Sequence, residues 1–329
     1  MDECSSNPPR ISVILTVYKR TRFLPEAIGS VLSQTFKDYE LIVADDSGEG
    51  AAATIIERFF PPMIRYQRNP TTLGVVKSIS IAIEHARGGF IAILNDDDLW
   101  EEHLLEKLIS AFDAHPECVL AFADHSIMDE NGTIDRAKTE EWSSSFGRSN
   151  LKQGILTDNP ALFAIEGGIP VNVSSLFRKD AIDWSLLKPE VAGAYDYWIG
   201  CLMSATRRPL YFVPEKLARW RVHQETETKR RAHDKAANLA FMFSQMLSQN
   251  WFPELRGVLQ KKLVEALITV GRDKLNYNRQ REARACFWKA FQSAPNTRTL
   301  FLFLASFLPT GLRCYLGQLR ALLFRICRT

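Results

Sequence analysis

The sequence predicts an α/β chain, with a mixed, mainly parallel sheet covered by helices on both faces and an all-helical C-terminal region. Three observations carry this. Short β-branched or apolar runs alternate with segments of helical spacing through the first third of the chain. Such alternation joins parallel strands by right-handed crossovers, which lay helices on both faces of the sheet. Two of the apolar runs end directly in carboxylates, at the edge where an open parallel sheet presents its ligands. From about residue 230 onward the pattern is helical alone.

Taken in order, 11–17 is a β-branched run, and Leu24, Ile28, Val31 and Leu32 after it have helical spacing. A second strand at 41–44 is followed by a helix at 51–60, and a short third strand at 64–66 by a helix at 75–86, which Gly88-Gly89 stops. The fourth strand is 90–94, the next helix 101–114, ending before Pro116, and the fifth strand 119–123. The rhythm then changes. Residues 125–190 read as loops, with a turn at Glu130-Asn131-Gly132 and a strand near 171–177. A helix at 195–205 and strands near 211–213 and 217–222 follow. The stretch 282–295 faintly resembles the second helix of a tetratricopeptide unit, but a single copy makes no repeat array.

Composition bounds the function. The chain has 329 residues, enough for one large domain with an appendage, and a net charge of +3, too small by itself to argue for nucleic acid. Cys4, Cys118, Cys201, Cys286, Cys314 and Cys327 are scattered and form no C-x-x-C pair. Free thiols in a reducing cytosol are the expectation, not a disulfide frame or a zinc site. Residues 1–9 form a short polar tail without an apolar signal core. No stretch reaches the roughly 18 uninterrupted apolar residues of a spanning helix. The expected location is therefore cytoplasmic, and the sequons at Asn131 and Asn172 carry no weight.

The acids at the strand ends carry the chemistry. Asp45-Asp46 closes the second strand, and Asn95, Asp96, Asp97 and Asp98 close the fourth in "ILNDDDLW". The first strand ends near Thr16 and Tyr18. Adjacent carboxylates repel one another and are not buried cheaply without a cation or hydrogen bonds. A hard divalent cation, with phosphates on the ligand to complete its coordination, makes the cluster tolerable. Asp is also a common N-cap and turn residue, but a cap requires one Asp and not three in a row. The stretch 48–53, Gly-Glu-Gly-Ala-Ala-Ala, matches a dinucleotide-binding pattern. It follows two aspartates that repel a pyrophosphate, and the acid due about 20 residues on is missing, so it is a decoy. A phosphate loop of the G-x-x-x-x-G-K-[ST] type is absent.

"ISVILTVYKRTRFLPEAIGSVLSQTFKDYELIVADDSG", "NPTTLGVVKSISIAIEHARGGFIAI", "ILNDDDLW", "GAYDYWIGCLM" and "LARWRVHQETET" together resemble a family 2 glycosyltransferase of GT-A fold, with its Rossmann-like sheet. The resemblance implies a catalytic domain over residues 10–228, with 229–329 as a helical C-terminal region. It also implies an inverting transfer of sugar from a nucleotide-diphosphate donor to an acceptor hydroxyl. On the matching positions, Asp46 accepts a hydrogen bond from the base, with Thr16, Tyr18 and Asp45 in the same pocket. Asp97 binds Mg2+ or Mn2+, and Asn95, Asp96 and Asp98 hold the ribose, the sugar or the metal's waters. Asp196 is the general base. Arg221 closes over the diphosphate and His223 reaches the metal. Three positions depart from the family pattern. Asn95 replaces the first acid of the cluster, Tyr195 stands where a Glu usually precedes Asp196, and Ser78 or Ser80 replaces an Asn.

The chemistry agrees. Leaving diphosphate needs its growing charge neutralised, which a metal ion and Arg221 supply. One base on the opposite face takes the acceptor proton, so in-line attack inverts the anomeric centre. The competing expectations are a non-catalytic nucleotide-sugar-binding assembly subunit, against which Asp97 and Asp196 both stand, and a sugar nucleotidyltransferase. The latter needs a glycine-rich first loop, and "TVYKRTRF" has no glycine.

The tail adds a partner. After Glu282 no Asp or Glu occurs, while Arg313, Arg320, Arg325 and Arg328 stand among Leu, Phe and Ile. A basic, apolar segment over 297–329 suits an in-plane helix on an anionic membrane surface. The other reading is a helical cap with its arginines in water. A lipid-linked saccharide acceptor would explain the first, and places the enzyme peripherally on the cytoplasmic face.

Overall fold

The computed structural model of the protein describes residues 7–59, 64–223 and 232–308. The chain divides into two units, Met1–Arg230 and Arg231–Thr329. Among the described residues the first is built on nine strands: β1 (Ile11–Val17), β2 (Tyr39–Asp45), β3 (Ile64–Arg68), β4 (Phe90–Asn95), β5 (Leu99–Trp100), β6 (Leu120–Met128), β7 (Gly154–Ile155), β8 (Ser175–Arg178) and β9 (Leu210–Arg221). They lie in the order β3-β2-β1-β4-β8-β6-β9-β5, with β7 on β9. The long ladders β1–β2, β1–β4, β2–β3 and β6–β9 are parallel, and the antiparallel ones are short.

Both faces of β1 are buried, as in a sheet with helices on either side. Ile11, Val13, Leu15 and Val17 join one core with Phe90, Ala92 and Leu94 of β4. That core takes Leu24, Ala27, Ile28 and Val31 of α1 (Leu24–Leu32) and, further along, Leu104, Leu105, Leu108, Ile109 and Phe112 of the helix Leu104–Ala114. The amino-terminal edge of the sheet is pinned by Glu40, whose buried carboxylate accepts hydrogen bonds from Ser12 Oγ, Arg65, and both the backbone and guanidinium N–H of Arg87. Gly88 is required beside it. A Cβ there would lie 2.6 Å from the Ser12 backbone nitrogen.

The structure departs from the sequence reading in four places, each with a local cause. The helix expected at 51–60 is a single turn, α2 (Ala53–Ile56), with no fully buried residue to extend its packing. The strand near 171–177 is half helical. Val173 and Ser174 donate back to the Pro170 carbonyl, so only Ser175–Arg178 is strand, entering antiparallel between β4 and β6. The strands at 211–213 and 217–222 are one strand, β9, which passes Pro214 through register shifts against β6. Residues 125–190 are not all loop. They include α3 (Arg136–Ser145), whose buried residues are Thr139 and Ser143 and which therefore shows no apolar stripe in sequence.

The second unit is helical over Ala232–Ser248, Arg256–Asn276, Gln280–Ser293 and Thr297–Ala305. Gly271 lets the second and third of these approach closely, since a Cβ there would meet the Phe287 ring at 2.5 Å. The last begins in a capping box between Asn296 and Thr299.

Candidate active site

The chain leaves β1 for β2 and β3 on one side and returns to β4 on the other, so the sheet reverses direction of build at β1. Ligands bind outside the carboxyl ends of strands at such a point. Register puts Val17 beside Asp45 and Thr16 beside Asn95, and all three strand ends therefore share one edge.

Two of the expected donor residues are strongly engaged by the protein. Asp45 is fully buried and accepts from the Ser47 and Ala52 amides and from the Tyr66 hydroxyl, at 2.8–3.0 Å. Burial pushes its carboxyl up, but the hydrogen bonds from Ala52, Ser47 and Tyr66 outweigh it and hold the pKa below the usual carboxylate range. Asp46 accepts from Asn69 Nδ2 at 2.9 Å and from the Leu73 and Gly74 amides at 2.8 Å. It ties the 69–74 loop, with Gly74 in the left-handed region at φ 89°, to the end of β2.

The acid cluster follows β4 directly. Asn95 Oδ1 accepts from Thr16 Oγ1 at 3.1 Å and from the Tyr195 hydroxyl at 3.2 Å, and Asn95 Nδ2 faces Asp98 Oδ2 at 3.4 Å. The Tyr18 amide donates to Asp96 Oδ2 at 3.3 Å. Asp98 Oδ1 accepts the Arg221 amide at 2.9 Å. Burial, then the neighbouring Asp97 charge, pushes Asp96 up to about 8 and Asp98 well above the ordinary carboxylate range. Asp97 Oδ2 lies 3.0 Å from His223 Nε2, and both residues are buried. Arg20 Nη2 stands 3.3 Å from the same Asp97 oxygen and 3.4 Å from Asp96 Oδ1.

Arg221 is buried under this cluster. Its Nε donates to the Asp97 carbonyl at 2.8 Å, Nη1 to the Glu130 carbonyl at 3.2 Å and Nη2 to Glu26 at 2.7 Å, while its guanidinium lies 4.3 Å from the Phe23 ring centroid. In this structure it braces the backbone of Asp97. Asp196 sits in the first turn of the helix Tyr195–Ala205, partly exposed, next to the Tyr195 that reaches Asn95. Arg20, Glu26, Asn69 and Tyr195 were not singled out in the sequence as site residues. The first two come from the β1–α1 connection and α1, where only the basic run "YKRTR" hinted at a charged wall.

The donors present suit a hard cation of Mg2+ or Mn2+ type. Bonds of about 2.1 Å put neighbouring ligands of an octahedron about 3.0 Å apart, the separation of Asp97 Oδ2 and His223 Nε2. Among the described residues no three His, Cys, Asp or Glu side chains converge on a metal position. The carboxylate suits Mg2+ or Mn2+, with the other positions left to a ligand's phosphates and water, whereas an imidazole is the less usual ligand for such a hard cation.

Residues 12–174 match the family described as glycosyl transferase family 2. The Bacillus subtilis protein EpsE, named as a glycosyltransferase, is 31% identical over 127 residues, which cover 38% of this chain and 46% of that one. In fold the chain is similar to S. aureus TarS 1–349 bound to UDP-GlcNAc, with a TM-score of 0.62 at 15% identity over 95% of this chain and 87% of that chain. It is also similar to the mannosyltransferase PcManGT of Pyrobaculum calidifontis bound to GDP-Man and Mn2+, with a TM-score of 0.54 at 14% identity over 91% and 79%. The fold is of GT-A type, and residues 12–174, just under half of the chain, are similar to glycosyl transferase family 2.

Proposed function

We propose that the protein is an inverting, metal-dependent glycosyltransferase that moves a sugar from a nucleotide-diphosphate donor to an acceptor hydroxyl in cell-surface polysaccharide or glycolipid synthesis. The observation that carries this reading is the pairing of Asp97 and His223 at the carboxyl end of β4, beside the strand at which the sheet reverses. Residues 10–228 form the catalytic domain in this reading, and 229–329 the helical appendage. Thr16, Tyr18, Asp45 and Asp46 shape the nucleotide end of the crevice, Asp45 and Asp46 by holding the loops that wall it. Asn95, Asp96 and Asp98 hold the ribose and sugar side.

Asp97 and His223 would hold the metal, and Mg2+ or Mn2+ there would neutralise charge on the leaving diphosphate. Arg221 fixes the Asp97 backbone, and its own reach to phosphate requires Glu26 to release Nη2. Asp196, in the first turn of its helix, takes the proton from the acceptor hydroxyl as that oxygen bonds to the anomeric carbon. The sugar–phosphate bond breaks on the opposite face, and the nucleoside diphosphate leaves with the electron pair.

The acceptor is proposed to be a saccharide or lipid-linked saccharide met at an anionic membrane surface on the cytoplasmic side. Among the described residues no helix is long and apolar enough to cross a membrane. Supporting a surface role, Trp288, Phe301, Leu304 and Phe307 of the second unit are exposed. Incubating the protein with a panel of nucleotide sugars, with and without Mn2+, and reading nucleotide release by mass spectrometry tests the activity. Asp97→Ala should lose the metal-dependent release while keeping its melting temperature, since relief of repulsion offsets the lost hydrogen bonds. Full release by the folded variant, or by wild type in chelator, removes the metal from the mechanism.

A further inference from the structure

Arg20 occupies the place where a cation is needed. It touches Asp96 and Asp97 together, and the Asp97 oxygen it meets is the one that His223 also reaches. Its side chain is 22% exposed and those of its two partners 5% and 9%, so solvent screens the contact poorly. The loop is bent to deliver it. Lys19 lies in the left-handed region at φ 58°, and the Arg20 amide donates to the Tyr18 carbonyl at 2.7 Å. The neighbouring cations are placed elsewhere. Arg22 pairs with Glu130, Lys19 lies over the Tyr18 ring, and Arg221 is spent on Asp97 O, Glu130 O and Glu26.

A metal ion approaching Asp97 alone is opposed twice. It must displace a guanidinium of like charge, and among the described residues it finds two protein donors, Asp97 and His223. A diphosphate corrects both deficits, because its oxygens complete the coordination and its negative charge gives the displaced guanidinium a new partner. Resting on the nucleotide-sugar reading above, we infer that Arg20 is an internal counter-ion that couples metal binding to diphosphate binding. It holds the carboxylates while no nucleotide is bound, and passes to the diphosphate when nucleotide and metal enter together. The two ligands then load as a pair, and the carboxylates are never left without a positive partner.

The test is a Mn2+ titration followed by electron paramagnetic resonance, with and without UDP, GDP, ADP or dTDP, on wild type, Arg20→Gln and Arg20→Lys. Wild type should take Mn2+ weakly alone and more tightly with at least one nucleotide. Arg20→Gln should bind Mn2+ alone about tenfold tighter than wild type and lose about tenfold of the nucleotide's enhancement, within the range of ordinary coupling energies. Arg20→Lys, which keeps the charge, should stay closer to wild type. A merely structural Arg20 would shift the melting temperature and leave the coupling alone. Nucleotide-coupled Mn2+ binding that is unchanged in Arg20→Gln overturns this inference by itself. Absence of Mn2+ binding in wild type with every nucleotide overturns the metal-dependent donor reading, and this inference with it.

Discussion

Asp46 and Asp196 are both single carboxylates at the crevice, but their surroundings give them different work. Asp46 is an acceptor for three protein donors, Asn69 Nδ2 and the Leu73 and Gly74 amides. Removing it strands those groups, and buried donors left without partners cost about 1–3 kcal/mol. Asp46→Ala should therefore lower the melting temperature as well as weaken nucleotide binding, because the 69–74 wall loosens. Asp196 is partly exposed on the first turn of its helix. On the proposed reading, Asp196→Asn keeps the shape and loses the base, so it should bind the donor normally and lose on the order of 10²–10⁴ in rate. Calorimetry paired with single-turnover rates separates the two variants. Donor affinity lost in Asp196→Asn, with turnover preserved, would make Asp196 a donor-site residue and put the base elsewhere. Arg221 shows how far a residue's type underdetermines its task. The family resemblance makes it a phosphate cation, while the structure surrounds its guanidinium with three protein acceptors, a pairing between positions 26, 97, 130 and 221 that no local pattern reveals.

At the scale of elements, β6 carries a buried polar group that makes a pH prediction. His125 is buried against Arg148, Lys216 and Asp124, with the edge of Trp220 nearby, and among the described residues its Nδ1 has no hydrogen-bond partner. Burial first, then the Arg148 charge, lowers its pKa to about 3. Below its unfolded pKa of about 6.5, the unfolded chain binds a proton that the folded chain refuses, so stability falls with falling pH until about pH 3. The loss is about 1.4 kcal/mol per pH unit for this group. His125→Leu removes it, so urea melts from pH 6 to pH 4.5 should show the variant gaining on wild type as acid is added. A stability difference constant over that range means that His125 is protonated in the folded state after all. The parts of the fold legible in sequence were those where periodicity or strand-end chemistry is strong: β1 to β4, the helix after β4, and the helix that starts at Tyr195. The parts missed have physical reasons. The helix Arg136–Ser145 buries hydroxyls in place of an apolar stripe, Pro170 folds a strand-like run into a turn, and the antiparallel entry of β8 is a long-range choice. The acids of the site were legible because carboxylates ending a core strand are costly. Arg20 was not, since a loop arginine looks the same whether it faces water or an acid pair.

For the whole molecule, the open matter is the end of the chain. Of the basic, apolar stretch 297–329, residues 297–308 are packed within the second unit. Thr299 and Ser306 are buried, Asn296 caps the helix, and Phe303 lies against Trp288 with ring centroids 5.0 Å apart. The segment from 309, with Arg313, Arg320, Arg325 and Arg328, lies outside the described residues. The helix before it nevertheless exposes Leu300, Phe301 and Leu304, Phe307 just after it is exposed too, and Arg284 lies over the Phe307 ring at 4.6 Å. Apolar side chains bordered by cations, on a chain without acids after Glu282, suit the headgroup boundary of an anionic bilayer. An arginine near such a surface contributes about 1 kcal/mol, so the four tail arginines would supply about 4 kcal/mol at low salt. Removal of 309–329 should then strongly reduce sedimentation with phosphatidylglycerol liposomes, and Leu304→Glu with Phe307→Glu should reduce it further. Nucleotide-sugar turnover in solution should persist in both, because the acid cluster and Asp196 are in the first unit. Salt should weaken binding of the intact chain more than of the truncated one. If the intact protein ignores these liposomes at low salt, the exposed aromatic face and the basic tail serve packing within the chain, and the acceptor is met in solution.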